Sequence, residues 1–259
     1  MKVCKITRET IYQLLDIAFK HLEIRPRIAE LGVLKGQNAQ RMMDILQPEK
    51  LVLVDSWSPH FLNEDRERNS KRPWVADANH VADYYGGPLT EQATYDRLYE
   101  GVRSRFANHP NVTIVRERCE NAVAKMSEIA NSEGAFHLIY VDANHSYEAV
   151  FDDLMYYKDL VSDRGVFQLN DCSHSTGGIM QNLGVLEAVV KFVKMTDFVP
   201  VVLTHTDWSD LLLIRKGNPL IELIDRIIVG NAISFVEVPP QLLGAAKIVS
   251  GASVNISFC

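Results

Sequence analysis

Four side chains that follow apolar runs, Asp142, His145, Asn170 and Asp171, stand within a single stretch of this 259-residue chain, residues 136–171. It reads FHLIYVDANHSYEAVFDDLMYYKDLVSDRGVFQLND, with Asp142 and His145 after one apolar run and Asn170-Asp171 closing another. Oxygen donors of this kind suit a hard cation such as Mg²⁺. The imidazole suits proton transfer, because its ordinary pKa lies near neutrality. Buried carboxylates are costly without a counter-charge, so a metal ion or a cationic ligand is expected beside them. Asp142 has a metal-free alternative, direct contact with a cofactor or substrate, and His145 a structural one, capping or packing the next helix.

The same stretch indicates how these groups are positioned. It reads as an apolar strand ending in Asp142, an amphipathic helix, a glycine turn at Gly165 and a second apolar strand ending in Asn170-Asp171. Ligands of a parallel sheet gather at the carboxyl ends of its strands, which is where these residues fall. An earlier unit has the same form. Strand 27–31 leads into ELGVLKG, residues 30–36, a helix to Leu46 and a strand at 51–54 that ends in Asp55. Gly32 can adopt a positive φ and admit a ligand to the backbone, and Gly36 allows close contact at the helix start. Glu30 stands where the dinucleotide fingerprint has its first glycine, which disfavours a dehydrogenase, since an acid facing a pyrophosphate is repulsive. Asp55 can accept the hydroxyls of a ribose. An ordinary β-α turn explains the glycines equally well.

Helices are expected at residues 10–21, 94–106, 183–195 and 220–229, and a third strand at 112–115. Residues 198–204 and 211–215 read as an antiparallel pair. Residues 58–109 begin with a long polar, proline- and glycine-broken stretch, expected as a lid-like insertion; its aromatic portion, 74–85, suits closure over a ring. Residues 1–26 are expected as an N-terminal helical cap, 27–216 as the main domain and 217–259 as a C-terminal extension. Asp152 and Asp153 sit on a helix body without a catalytic assignment. His174 is either a substrate-side group or an exposed loop residue, and Tyr147, Trp57 and Trp208 are more often packing residues.

With 47% hydrophobic and 23% charged residues the chain fits one α/β domain with additions. A net charge of -6 argues against a nucleic-acid partner. Cys4, Cys119, Cys172 and Cys259 have no metal-site spacing and read as free thiols. No secretory signal and no membrane-length apolar run is visible, so a cytoplasmic protein is expected, with no membrane partner. The apolar tail makes a homodimer conceivable.

AELGVLKG, LVLVDSW and LIYVDANHSYEAVFDDL…GVFQLND, in this order, resemble class I S-adenosylmethionine-dependent methyltransferases. The resemblance spans residues 27–216 and is greatest for the branch with D-x-x-H-x-Y-x-x-V-x-x-D-L after the fourth strand. It implies a doubly wound, mostly parallel seven-stranded Rossmann-like sheet whose last two strands form an antiparallel hairpin. It implies that Glu30, Gly32 and Gly36 hold the methionine half of the cofactor, with Asp142 nearby. Asp55, followed by Ser56 and Trp57, is implied at the ribose. Arg118 and Cys119 would lie at the adenine, where the commonest form has an acidic and a small residue. The sequence is similar to metal-dependent small-molecule O-methyltransferases such as the catechol and macrolide-sugar enzymes. That likeness implies Mg²⁺ on Asp142, Asn170 and Asp171, with the order Asn-Asp where the catechol enzymes have Asp-Asn. It implies catalysis through Asp142, with His145 as general base at the place of their catalytic lysine. The expected function is methyl transfer to a hydroxyl of a small molecule, a sugar or secondary metabolite, with Mg²⁺ assistance. The alternatives are a metal-independent methyltransferase and a non-catalytic module that binds S-adenosylmethionine or a nucleotide.

Overall fold

Strand β5 (Phe136–Val141) is buried along its whole length, as expected of a strand covered on both faces. Its neighbours are β2 (Arg27–Leu31), parallel on one side, and β6 (Val161–Leu169), parallel on the other. Beyond β2 come β3 (Lys50–Asp55) and β4 (Val112–Arg116), also parallel. Beyond β6 lies β8 (Leu211–Arg215), antiparallel to both β6 and β7 (Phe198–Thr204). The computed structural model describes residues 1–59, 82–175, 183–206, 208–250 and 254–259. The aromatic portion expected to cover a ring, residues 74–85, falls outside these except for its last four residues, which form a short helix, Ala82–Tyr85.

The expected seven strands are present, and two more extend the sheet. Strand β1 (Lys2–Cys4) pairs parallel with β7, and β9 (Phe235–Glu237) pairs antiparallel with β1. The order is β4-β3-β2-β5-β6-β8-β7-β1-β9. The N-terminal segment is therefore part of the sheet as well as helical. Three residues are too few for a sequence period to show, and β1 is fixed by pairing rather than by pattern.

Helices cover both faces because each strand alternates its side chains. Ala29, Leu31, Val52, Val54, Ile139 and Val141 face one layer, α4 (Cys119–Glu133), α5 (Tyr147–Tyr157) and α6 (Val185–Met195). Ile28, Leu51, Leu53, Leu138 and Tyr140 face the other. That layer is α1 (Arg8–His21), α2 (Gln37–Leu46), α3 (Gln92–Arg105) and α7 (Leu220–Gly230). A separate hairpin of β10 (Lys247–Ser250) and β11 (Val254–Ser257) closes the chain. Among the described residues no helix is long and apolar enough to cross a membrane.

Register places the chemistry. Leu31 pairs with Val54 and Val141, and Val141 with Leu169. Residues 32, 55, 142 and 170 thus leave the sheet side by side. Leu169 also pairs with Leu211, and Cys4 with Thr204, which brings Asp210 and the start of α1 to the same rim.

Gly165 was expected in a turn and lies inside β6. The strand begins at Val161, and the β5–β6 register shifts between Phe136 and Leu138. A Cβ on Gly165 would stand 2.7 Å from the Phe136 carbonyl oxygen. The glycine serves a close backbone crossing at a bulge, a known use of glycine in strands. Its own carbonyl accepts from Asn218 Nδ2 at 3.1 Å, while Asn218 Oδ1 accepts from Leu220 N–H at 2.9 Å and so starts α7. Asn218→Ala removes both bonds at a buried position and should lower the unfolding free energy by about 1–3 kcal/mol, read from urea denaturation.

Candidate active site

The glycine turn between β2 and α2 is held by Asp55. Its Oδ2 accepts the backbone N–H groups of Val33 and Leu34, both at 2.9 Å, and its Oδ1 that of Trp57 at 2.8 Å. A carboxylate has about four lone-pair sites, so Asp55 can accept a ribose hydroxyl while keeping the turn in place. Trp57 is buried, with a positive φ of 41°, and its indole donates to the Leu34 carbonyl at 2.9 Å. Its ring lies 5.1 Å from that of Tyr99. Trp57 braces the turn from within the core, and Ser56 is half-buried beside it.

Gly32 has a φ of 87°, as the sequence suggested, but the reason is internal. A Cβ there would meet the Asp142 carbonyl oxygen at 2.1 Å and Ala143 Cα at 2.6 Å. The close approach is made by the end of β5, which locks the turn against the loop that carries His145. Gly36, with a φ of 68°, caps α2 where a Cβ would crowd Phe106 and Val102 of the neighbouring helix.

Glu30 is the group that fits a cofactor. Its Oε1 accepts from Asn38 Nδ2 at 2.8 Å, and Asn38 in turn accepts from Tyr12 Oη at 2.7 Å. Its Oε2 is buried and has no hydrogen-bond partner among the described residues. Burial pushes Glu30 up to about 8. An ammonium group satisfies that oxygen and recovers the ionised form, and S-adenosylmethionine carries one. Arg118 pairs with Glu120 ahead of α4. Cys119 opens that helix half-buried, its carbonyl accepting from Tyr157 Oη at 2.8 Å. Burial first and Asp153 second push the Cys119 thiol well up. Asp153 is itself buried, raised to about 8 by burial and then by Glu120, and belongs to the packing of α4 on α5.

At the rim, the structure brings Asp142, His145, Asn170 and Asp171 together. His145 Nε2 lies 3.1 Å from Asp142 Oδ1 and 3.5 Å from Asp171 Oδ2. Burial opposes charge on the ring, yet the hydrogen bond to Asp142 and the charges of Asp171 and Asp142 outweigh it, raising His145 to about 9. Asp171 is raised by burial, against the pull of His145, and its Oδ1 has no hydrogen-bond partner among the described residues. The His145 loop is fixed at several points. Asn144 Oδ1 accepts from Ser146 N–H at 3.0 Å, Ser146 caps α5, and Gly184 N–H donates to the His145 carbonyl at 2.8 Å.

Sequence reasoning missed the residue that organises this rim. Arg8, at the start of α1, donates through Nε to Asp210 Oδ2 at 2.8 Å and through Nη2 to Asp210 Oδ1 at 3.1 Å. The same Nη2 reaches Asn170 Oδ1 at 2.5 Å, and the guanidinium lies 5.2 Å over the Tyr140 ring. Asn170 then donates to Asp142 Oδ1 at 3.1 Å, and Tyr140 Oη to Asp142 Oδ2 at 3.2 Å. Gln168 Nε2 adds a bond to Asp210 at 2.9 Å. Burial holds Asp210 up at about 6 despite Arg8. The legible signals were polar residues interrupting apolar strands, Tyr140 in LIYVD and Gln168 in VFQLN. Nothing in the local sequence marks Arg8.

This arrangement does not fit the expected Mg²⁺ site. Asn170 turns its oxygen to Arg8 and its NH₂ to Asp142, and an imidazole nitrogen stands between Asp142 and Asp171. Among the described residues no group of three or more His, Cys, Asp or Glu side chains is arranged to hold a metal ion. Arg8 and His145 stand among the rim acids, while Asp171 Oδ1 stays without a hydrogen-bond partner among the described residues. His174 lies apart, 3.8 Å from Glu187, with its backbone tied to Ala246 and Ile248 of the tail. Tyr147 stacks on Phe151.

A family model described as a methyltransferase domain matches residues 29–172, more than half of the chain. The chain belongs to this family. Its fold is that of the class I S-adenosylmethionine-dependent methyltransferases, and solved structures agree at the level of architecture. The O-methyltransferase TomG from Streptomyces achromogenes, involved in tomaymycin synthesis and solved with SAM, is 15% identical, with 82% of each chain covered and a TM-score of 0.51. A putative caffeoyl-CoA O-methyltransferase from Staphylococcus aureus is 10% identical, covering 82% of this chain and 86% of that one, with a TM-score of 0.50. A spermidine synthase from Thermotoga maritima is 13% identical over 86% of this chain, with a TM-score of 0.49, and this chain spans 64% of its length. No curated protein sequence matches.

In this chain the Arg8–Asp210 pair is nearly enclosed, with Asp210 at 2% side-chain exposure. Removing one partner of a buried pair costs about 3–5 kcal/mol, because the other charge is left without compensation. Arg8→Met should show a loss of that order in denaturant unfolding at neutral pH. The deficit should narrow as the pH falls, because Asp210, raised by burial even beside Arg8, is raised further without it and takes up a proton.

Proposed function

We propose that the chain transfers a methyl group from S-adenosylmethionine to a hydroxyl of a small molecule, with His145 accepting the proton, Asp142 supporting the imidazole and no metal ion at the rim. The observation that carries this reading is the position of His145 Nε2, between Asp142 and Asp171 at the ends of adjacent parallel strands. The net charge of -6 supports a small acceptor over a nucleic acid.

When bound, the cofactor supplies a methyl group on a sulfonium sulfur and is left as a neutral thioether. Glu30 presents its unpartnered Oε2 to the methionine ammonium, and Asp55 offers its remaining lone pairs to the ribose. These contacts orient; in an in-line displacement, orientation and electrostatics are most of what a protein contributes. An acceptor hydroxyl reaching the rim gives a lone pair to the methyl carbon and its proton to His145. Asp142 and Asp171 then stabilise the imidazolium. The same two acids raise the proton affinity of the ring, which makes it the stronger base once it is neutral. Arg8 keeps Asn170 and Asp210 in place, and through Asn170 it orients Asp142.

Calorimetry should detect S-adenosylmethionine binding that survives His145→Gln. Transfer of a labelled methyl group should persist in EDTA; loss of activity restored by added Mg²⁺ would return the metal-assisted reading. The pH dependence has a definite sign. His145 is protonated below its raised pKa, so kcat/KM should climb with pH through about 9. His145→Gln should lower kcat by about 10²–10⁴-fold and remove that climb. Asp142→Asn should move the midpoint to lower pH, since the hydrogen bond that holds the ring's proton weakens. A flat profile with an unchanged rate in His145→Gln excludes His145 as the base.

A further inference from the structure

We propose that the C-terminal hairpin is a positioning element of the rim: by gripping the backbone of His174 it holds Asp171 in the conformation that aims its carboxylate at His145. The inference rests on the methyltransferase reading for what that pair does, while the tether itself is read from the backbone. The hairpin lies outside residues 29–172, so the family match assigns it nothing.

Asp171 needs an outside hold. Its φ of 57° is one that a residue with a Cβ seldom adopts. On its N-terminal side the sheet fixes the chain, since Asn170 N–H donates to the Val141 carbonyl at 3.2 Å. On its C-terminal side the chain leaves the sheet. Cys172 N–H donates to the Ser209 carbonyl at 2.8 Å, and Ser173 N–H to the Asp171 carbonyl itself at 3.0 Å. The tail takes hold at the next residue. His174 N–H donates to the Ala246 carbonyl at 3.0 Å, and the His174 carbonyl accepts from Ile248 N–H at 2.5 Å. Bonded through both its backbone groups, His174 forms a parallel bridge with the residue between them, Lys247.

This grip is anchored on α6. Leu243, Ala246 and Ile248 are buried, and the first two belong to the same apolar cluster as Val189 and Phe192 of α6. Gly244 lies so close to that helix that an added Cβ would stand 3.3 Å from Val190 Cγ2. Helix α6 also fixes the other partner. Its N-cap, Gly184, donates its N–H to the His145 carbonyl at 2.8 Å, and a Cβ there would meet Tyr147 N at 2.4 Å. His145 and Asp171 are thus referred to one helix, the first directly and the second through the tail. Their separation of 3.5 Å, Nε2 to Oδ2, depends on both attachments.

The test is a double-mutant cycle read on the imidazole of His145 by NMR. It uses the full chain with ¹³C-labelled histidine rings, the signal being assigned by its absence in His145→Gln. Ile248→Pro deletes one tether bond and His174→Pro the other, because proline has no N–H; Ile248→Val keeps both. Asp171→Asn gives the displacement that follows loss of the carboxylate charge. Each proline variant should displace the His145 signal in the same direction and by at least half as much, with Ile248→Val unchanged. Affinity for S-adenosylmethionine should stay within threefold of the native chain in calorimetry. Added to Asp171→Asn, Ile248→Pro should displace the signal no further, since the tail acts through Asp171. Should a proline variant fail to fold, Leu243→Ala, which loosens the tail from α6 without touching the tether, should give a smaller displacement of the same sign. An unmoved signal in the folded variants, or full additivity with Asp171→Asn, overturns the proposal. Methyl transfer that is unchanged in His145→Gln removes the base and leaves the tether standing.

Discussion

A single guanidinium holds the rim of this sheet together. Four carboxyl or amide groups, from the ends of β5 and β6 and the start of β8, converge where water is largely excluded. Such a cluster is unstable unless its charge is balanced and its lone pairs are filled. Arg8 supplies part of both, with a fork on Asp210 and a third bond to Asn170, while Asp171 keeps one buried oxygen without a hydrogen-bond partner among the described residues. An arginine suits this place better than a lysine, because its planar fork satisfies two acceptors at fixed angles. Once Asn170 is held by its oxygen, its NH₂ can point only towards Asp142, and Asp142 is then oriented to meet His145. The catalytic geometry proposed for the rim is thus set from α1, a helix at the opposite end of the sequence from most of the groups it orders.

That dependence explains what could be read from the sequence and what could not. The strands and their terminal acids were legible because a buried parallel strand is a run of apolar residues and its end is marked by the first charge; Asp55, Asp142 and Asp171 follow this rule. The antiparallel pair of β7 and β8 was legible from two such runs joined by a short polar loop. Gly165 misled because a glycine marks a turn and a strand bulge alike, and only the register against Phe136 distinguishes them. Helix α4 was not foreseen, and β1 and β9 are too short to carry a period. Arg8 could not be found at all. Its partners are 162 and 202 residues away in the chain, and an arginine opening an amphipathic helix is indistinguishable from any solvated one.

The magnesium expectation has the same origin. Read linearly, acids at the ends of two strands need a cation, and the resemblance supplied Mg²⁺. Read in three dimensions, one guanidinium and one imidazole already stand among these acids. The order Asn-Asp, where the catechol enzymes have Asp-Asn, fits this outcome. Asn170 follows directly on Leu169, pointing to Arg8 and Asp142, and Asp171 takes a positive φ of 57° that turns its carboxylate towards His145. A non-glycine residue in that conformation carries strain, and here the strained residue is one that holds the imidazole.

The glycine turn and the surface beside Arg8 show how the work is divided along the chain. Residues 29–172 build the side that fits a cofactor, and they are locked by contacts that leave little room for change. Gly32 is in contact with the end of β5, Asp55 holds three backbone N–H groups, and Trp57 plugs the turn from beneath. The segments on either side of that block, α1 and the β7–β8 connection, line a cleft in which Trp208 is exposed while Thr204 and Asp210 are buried. Substitutions at the exposed residues there can alter the surface beside Arg8 without disturbing Glu30, Asp55 or His145. One residue is excluded from that freedom. Arg8 faces the cleft with the same guanidinium that orders the rim, so a change that widened the cleft at Arg8 would also release Asn170 and, through it, the acid that orients the base.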